Sequence, residues 1–331
     1  MSRSPLVSVV IPTYNRGELV CQAIANVFQQ TYSNFELIVV DDGSTDDTQS
    51  RLRQFGNRIR VVTQANAGAP IARNRGVEAA RGEIIAFQDS DDLWKPAKLE
   101  KQVALLEHFG PSVPCCLCNV LMRVVDGKEY TSFDHSLIFP RDEAGLWLNV
   151  PDVLATRFVL FNQAVAIRRK TLEKLGGFNE QLKYLEDYDL PLRLALEGPW
   201  AFIREPLVIY REGTPGSFSQ AALKDPIVLK ECEVKICESL LATVAGESGR
   251  ASFRSHLKRR LGMARRHLWT LNLSQPDSFR TKAIRRAVQQ FDRYYLGGFR
   301  RSPWFPQPRT LPVDSAGPHS PDSRSIELIA R

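Results

Sequence analysis

From residue 6 to about residue 125 the chain repeats one unit: a short run of β-branched and apolar residues, a polar break, then a longer amphipathic stretch. Leu6–Ile11, Phe35–Val40, Ile59–Thr63, Glu83–Phe87 and Val113–Val125 read as strands. Between them Gly17–Gln30, Thr45 to about Phe55, Pro70–Ala80 and Pro96–Phe109 read as helices. Strands spaced by helices of this length predict βαβ units, hence an α/β fold with a mainly parallel sheet flanked by helices. In such sheets ligands bind beyond the carboxyl ends of the strands. Polar clusters stand at those points: Thr13-Tyr14-Asn15, Asp41-Asp42-Gly43-Ser44 and Asp89-Ser90-Asp91-Asp92. They are expected on one rim.

The densest cluster constrains chemistry most. Three carboxylates within four residues, Asp89, Asp91 and Asp92, repel one another unless something positive holds them. A helix N-terminus accounts for one or two of them. A divalent cation shared with phosphate oxygens accounts for all three, because Mg²⁺ and Mn²⁺ take oxygen ligands and need few from protein. Asp41 and Asp42 either shape a strand-to-helix turn or receive the N–H groups of a base or ribose hydroxyls. Tyr14, just past Pro12, is placed to stack a base. No GxGxxG follows the first strand and no GxxxxGK[ST] occurs, which disfavours a Rossmann dehydrogenase and a P-loop kinase. Diphosphate recognition then rests on metal and on Arg73.

Residues 126–220 are less regular, with a turn at Asp126-Gly127, strands at Ala164–Arg168 and Trp200–Tyr210, and a helix at Glu186–Glu197. That helix opens on Glu186-Asp187-Tyr188-Asp189, which is either an acidic first turn or a general base presented to the reaction.

These pieces closely resemble the family 2 glycosyltransferases, an inverting group with the GT-A nucleotide-binding fold. The resemblance is carried by Val7–Asn15, Gln29-Gln30-Thr31-Tyr32, Phe35–Asp46, Ala72-Arg73-Asn74, Asp89-Ser90-Asp91-Asp92, Gly176-Gly177-Phe178-Asn179-Glu180 and Glu186–Leu190, in family order. It implies a nucleoside-diphosphate sugar donor, UDP-linked, and a glycan or lipid-linked acceptor in surface polysaccharide or glycoconjugate synthesis. Carried over, Pro12 and Tyr14 line the base pocket, Asp42 receives the uracil N–H with Asp41 beside it, and Arg73 borders the nucleotide. Asp89-Ser90-Asp91 matches the DxD motif, with Asp91 the direct ligand of Mn²⁺ or Mg²⁺, Asp89 near ribose or metal water, and Asp92 behind them. Asp187 corresponds to the catalytic base and Glu186 to its neighbour. Many relatives carry a His after the last strand; here Tyr210–Ser219 has none, and Arg211 is a candidate phosphate contact instead.

Beyond residue 220 the pattern is helical, in pieces near 221–245, 250–269 and 276–296, and the Pro- and Ser-rich tail of 301–331 is expected to be disordered. Residues 254–301 hold 13 Lys or Arg against Asp277 and Asp292. This basic stretch either packs on the catalytic domain at 1–220 or meets an anionic membrane surface. Nucleic acid is disfavoured, since no binding module frames the charge. No apolar run reaches the roughly 20 residues a spanning helix needs, nor does the start read as a signal peptide. A cytoplasmic protein, peripheral at the inner membrane face, is expected. The six cysteines read as reduced, buried thiols rather than a zinc site or disulfide framework. Two other classes fit parts of the pattern: a nucleotidyltransferase, which should carry a phosphate loop that is absent, and an inactive glycan-binding scaffold on the same fold.

Overall fold

A computed structural model describes residues 4–123, 127–211, 224–272 and 306–313. The first half follows the repeat: β1 (Val7–Thr13), α1 (Gly17–Val27), β2 (Phe35–Asp41), α2 (Thr48–Leu52), β3 (Arg60–Thr63), α3 (Ala69–Ala79) and β4 (Ile84–Phe87). Every residue of β1 and β4 is buried, as expected of strands covered on both faces. Helix α3 lies so close to β1 that a Cβ on Gly76 would sit 2.2 Å from the Val10 side chain. Glycine there sets the helix-to-sheet distance.

After the two-residue β5 (Leu93–Trp94) come α4 (Lys98–Phe109), β6 (Cys115–Arg123), β7 (Glu129–Thr131), α5 (Ser132–His135), β8 (Ala144–Trp147) and α6 (Val150–Leu154). Then follow β9 (Val165–Arg168), α7 (Arg169–Lys174), α8 (Glu186–Leu194) and β10 (Trp200–Arg211). Two long helices, α9 (Pro226–Thr243) and α10 (Ala251–Leu271), precede a last short strand, β11 (Thr310–Pro312).

The main path of the sheet runs β11-β8-β10-β6-β9-β4-β1-β2-β3, with β5 against β10 and β7 against β6. Parallel pairs join β1 to β2 and β4, β2 to β3, and β6 to β10. The late strand β9 slots antiparallel between β4 and β6, which keeps those two running in the same direction. Register explains the rim: Thr13 pairs with Asp41 and Val10 with Phe87, so the chain leaves β1, β2 and β4 at one edge.

The six cysteines are all free thiols, five of them buried. Burial pushes Cys115 and Cys116 well above the usual thiol range.

The tail departs from expectation. Thr310–Pro312 is an edge strand antiparallel to Ala144–Trp147. Its main chain is satisfied there: Leu148 N donates to Arg309 O, Arg309 N to Asn149 Oδ1, and Asn149 Nδ2 to Gln307 O. Gly145 leaves the room that Leu311 O needs. Edge pairing uses backbone groups and little side-chain chemistry, so Pro- and Ser-rich composition concealed it. The helix expected at 276–296 and the rest of the tail lie outside the described residues.

Helices α9 and α10 form a hairpin. The apolar stripe of α10, Phe253, Leu257, Leu261 and Ala264, is buried, so it is committed to protein packing. Arg259, Arg265, Arg266 and Trp269 remain outward, Trp269 with 56% exposure. No helix among the described residues is long and apolar enough to cross a membrane.

Candidate active site

The loop after β1 carries Tyr14, Asn15 and Arg16. Asn15 sits in the left-handed region (φ 50°), where Asn is tolerated better than most residues. Its Oδ1 accepts from Thr45 N, and its own N–H donates to Ser44 Oγ, which locks the first two rim loops together. Tyr14, 45% exposed, is the open aromatic of this corner, whereas Pro12 is buried in β1 opposite Val40.

Asp41 and Asp42 are both buried. One Asp41 oxygen accepts from Ser44 N and the other has no partner. Asp42 accepts three hydrogen bonds, from Gln64 Nε2 and Ala67 N on one oxygen and Gly68 N on the other, at 2.7–2.8 Å. A carboxylate offers about four lone-pair directions. Asp42 therefore shapes the rim by holding the loop that starts α3, with one direction left for an outside donor.

The acidic run after β4 divides its duties. Asp89 Oδ1 accepts from Arg73 at 2.8 Å. Asp91 Oδ2 accepts from Arg16 at 2.8 Å, and the same guanidinium nitrogen reaches Ser90 Oγ at 3.3 Å. Asp92 is 1% exposed; it accepts from Arg211 N on one oxygen, and the other is buried without a partner. Burial and then the Asp89 charge raise Asp91 above its ordinary range despite Arg16. Burial, with Asp89 and Asp91 adding to it, pushes Asp92 well above. Arg211 donates through Nε to the Asp91 carbonyl and through a terminal nitrogen to Gln22, so its contacts here brace the run. The segment lacking a His, from Glu212 onward, lies outside the described residues.

Across the rim, α8 begins with Leu185 in the left-handed region (φ 67°), which is strained for a leucine. That turn presents Glu186 and Asp187. Buried Arg73 spans both acidic runs, donating to Asp89 and to Glu186 Oε1 at 3.2 Å. The next residue on α3, Asn74, pins the 177–180 loop through Phe178 N, Phe178 O and Glu180. Asp189 points elsewhere, into an ion pair with Arg193. Half-buried Asp187 is pushed up to about 7 by burial and then by the Glu186 charge. Burial likewise lifts Glu186, with Arg73 opposing it.

Among the described residues no three or more His, Cys, Asp or Glu side chains converge as a metal cage. What is present fits an ion that brings most of its own oxygens: Asp89 and Asp91 are neighbours, and at Asp91 burial and the Asp89 charge outweigh Arg16. Mg²⁺-type sites on substrate phosphates use one or two carboxylates. Arg16 takes one lone-pair direction of Asp91 Oδ2, which leaves other directions of this carboxylate for a cation, and ligating carboxylates commonly accept such a hydrogen bond as well.

The glycosyl transferase family 2 model matches residues 8–167. An uncharacterized glycosyltransferase, EpsJ of Bacillus subtilis, is 30% identical over 247 residues, covering 70% of this chain and 69% of that one. The chain belongs to glycosyltransferase family 2. Escherichia coli WfgD, named a UDP-Glc:alpha-D-GlcNAc-diphosphoundecaprenol beta-1,3-glucosyltransferase, is 43% identical over 103 residues, covering 30% of this chain and 41% of that one. S. aureus TarS 1-349, solved with UDP-GlcNAc, shares the fold with a TM-score of 0.65 at 19% identity, covering 89% of each chain. The alignments to three Rickettsia glycosyltransferases span only 33–58% of those proteins. For a family 2 chain, Arg73, Asp89, Asp91, Glu186 and Asp187 are thus brought together here. Pro12, Tyr14 and the Asp41–Asp42 pair sit at the neighbouring corner.

Arg16, Asn15, Gln64 and Leu185 were not singled out as site residues from sequence. Arg16 had a signal, a cation two residues past Tyr14 on the same rim. Leu185 had none, because leucine carries no left-handed preference.

Proposed function

We propose that the chain transfers a sugar from a UDP-linked donor to a hydroxyl of a glycan or lipid-linked acceptor, with inversion at the anomeric carbon. The observation that carries this reading is the Arg73 bridge. One buried guanidinium joins the acidic run that would face a diphosphate to the helix that would carry a base. The activity named for WfgD, a UDP-glucose enzyme acting on a diphosphoundecaprenol-linked sugar, supports the same donor and acceptor classes.

In the proposed step Asp187 removes the acceptor hydroxyl's proton as that oxygen bonds to the anomeric carbon. The bond from that carbon to the diphosphate breaks on the opposite face. A carboxylate held near 7 is matched to this task at neutral pH. Glu186 and Arg73 orient the turn and keep charge balanced around it. Asp91, with Asp89, would hold Mn²⁺ or Mg²⁺, which when bound neutralises charge gathering on the leaving diphosphate. Tyr14 and Pro12 would flank the base, with the remaining Asp42 lone pair for its N–H.

Contact with an anionic membrane would suit a lipid-linked acceptor. The apolar face of α10 is already buried, so such contact would rest on charge, from Arg254, Lys258 and Arg259, which border one groove with Ala251 and Ser255. Charge-driven adsorption to phosphatidylglycerol vesicles should vanish at high salt.

The deciding experiment incubates a panel of nucleotide sugars with Mn²⁺ or Mg²⁺ and counts nucleotide release, with Asp187→Asn as control. Release from a UDP-sugar, lost in the variant, is the expected result. Equal release from wild type and variant would remove Asp187 as the base. Failure of UDP to bind with metal would overturn the donor site.

A further inference from the structure

The helical hairpin touches the catalytic half at one place where its chemistry is unusually specific. Arg260 of α10 lies with its guanidinium carbon 4.1 Å above the ring of Tyr188, the residue after Asp187. Tyr188 is buried, and its hydroxyl has no hydrogen-bond partner, so the ring face is the anchored part. Arg260 is itself fixed by Glu233 of α9 at 2.8 Å, and Glu233 by Lys230 at 2.6 Å. At the other end of α8, Arg250 donates to the Leu196 carbonyl at 3.1 Å. A cation just beyond a helix C-terminus complements its dipole. The helix is thus held in front by Arg73 on Glu186 and behind by two arginines of the extension. Its first turn needs such holding, because it starts from a left-handed leucine.

We propose that Arg260 is a positioning residue: by covering the Tyr188 ring it fixes the turn that presents Asp187, which makes the hairpin part of the catalytic unit. The proposal rests on the reading of Asp187 as the base. Lysine at 260 would keep the charge facing Glu233 but lose the planar contact with the ring.

The test uses the full chain and two readouts. Hydrogen exchange should quicken in peptides covering 186–194 in both Arg260→Lys and Arg260→Gln, while peptides from β1 to β4 stay unchanged. With UDP-glucose and Mn²⁺, kcat for UDP release should fall about tenfold with KM for the donor within about twofold, since small misplacements of a reacting group are costly. Exposed Lys235→Gln on α9 is the control and should leave both readouts unchanged. Combining Arg260→Lys with Tyr188→Leu should cost no more in kcat than Tyr188→Leu alone, because each removes the same contact. Unchanged exchange in both Arg260 variants would overturn the proposal, as would an equal loss of kcat and donor affinity. Activity that survives Asp187→Asn would instead remove the base assignment and leave the exchange result standing.

Discussion

Two acidic runs face each other across this rim, and the protein treats them differently. In Asp89–Asp92 each carboxylate has a separate partner: Arg73 for Asp89, Arg16 for Asp91, and the Arg211 amide for Asp92. In Glu186–Asp189 the flanking acids are paired, Glu186 with Arg73 and Asp189 with Arg193, while Asp187 between them is held near 7. Under the proposed function the first run would take the added positive charge of a cation. The other isolates a single carboxylate that can take a proton. Crowding of like charge alone does not decide which role an acidic run has; the placement of guanidiniums does.

The largest expected effect separates the two roles. Asp187→Asn should lower kcat by about 10²–10⁴-fold, the usual contribution of a general base, while UDP binding with Mn²⁺ stays within a factor of about two. Asp91→Ala should do the reverse at the binding step, abolishing the metal dependence of UDP affinity measured by calorimetry. Equal effects of both substitutions on binding and turnover would break the comparison.

Next in size is the bridge between the runs. Arg73→Gln leaves Asp89 and Glu186 without their shared cation, and removing one partner of a buried pair typically costs about 3–5 kcal/mol. A melting temperature lowered by several degrees is the expected outcome, with Arg73→Lys intermediate because lysine cannot form the fork. A variant that melts with the wild type would mean the two runs are held by their own elements.

The first half of the fold was legible because strand ends are marked by apolar runs and the polar loops follow directly. The alternation puts Tyr14, Asp42 and Asp89–Asp91 just past strand ends, and the register brings those strand ends to one edge. The second half was less so. Strand β9 is a short apolar run inserted between β4 and β6, a choice set by long-range pairing that periodicity does not encode. The Arg73 bridge joins residues 113 apart, and Arg260 reaches Tyr188 from a helix that reads in sequence only as basic and amphipathic. The edge strand at Thr310–Pro312 depends on backbone pairing, for which composition gives no signal.

A smaller effect follows from the raised value of Asp187. Turnover should fall about tenfold per unit as pH drops below about 7, because the base must be ionised. Stability runs the opposite way. A carboxyl whose folded value is raised above its unfolded value favours folding at low pH, and that advantage is lost as pH rises through about 7. Asp187→Asn should therefore gain more melting temperature over wild type at pH 8 than at pH 5, where the loss is only partial. A difference independent of pH would mean that Asp187 is not the group titrating there.

The smallest expected effect concerns Asp92, the buried member of the first run. Burial and its two aspartate neighbours raise it well above the usual carboxylate range, so folding favours its protonated form. Asparagine keeps the shape and the acceptor for Arg211 N while adding no charge. Asp92→Asn should therefore match the wild type's melting temperature within about 2 °C at acid pH, below the ordinary carboxyl value, the range of a shift below ~0.5 kcal/mol in a domain of this size. By the sign of linkage, the wild type loses stability as pH rises through the raised value, whereas the variant does not. Melting curves at increasing pH should accordingly separate in favour of the variant. A large loss at neutral pH would instead show that Asp92 is ionised and needed as a charge, making all three carboxylates of its run active participants in holding a cation.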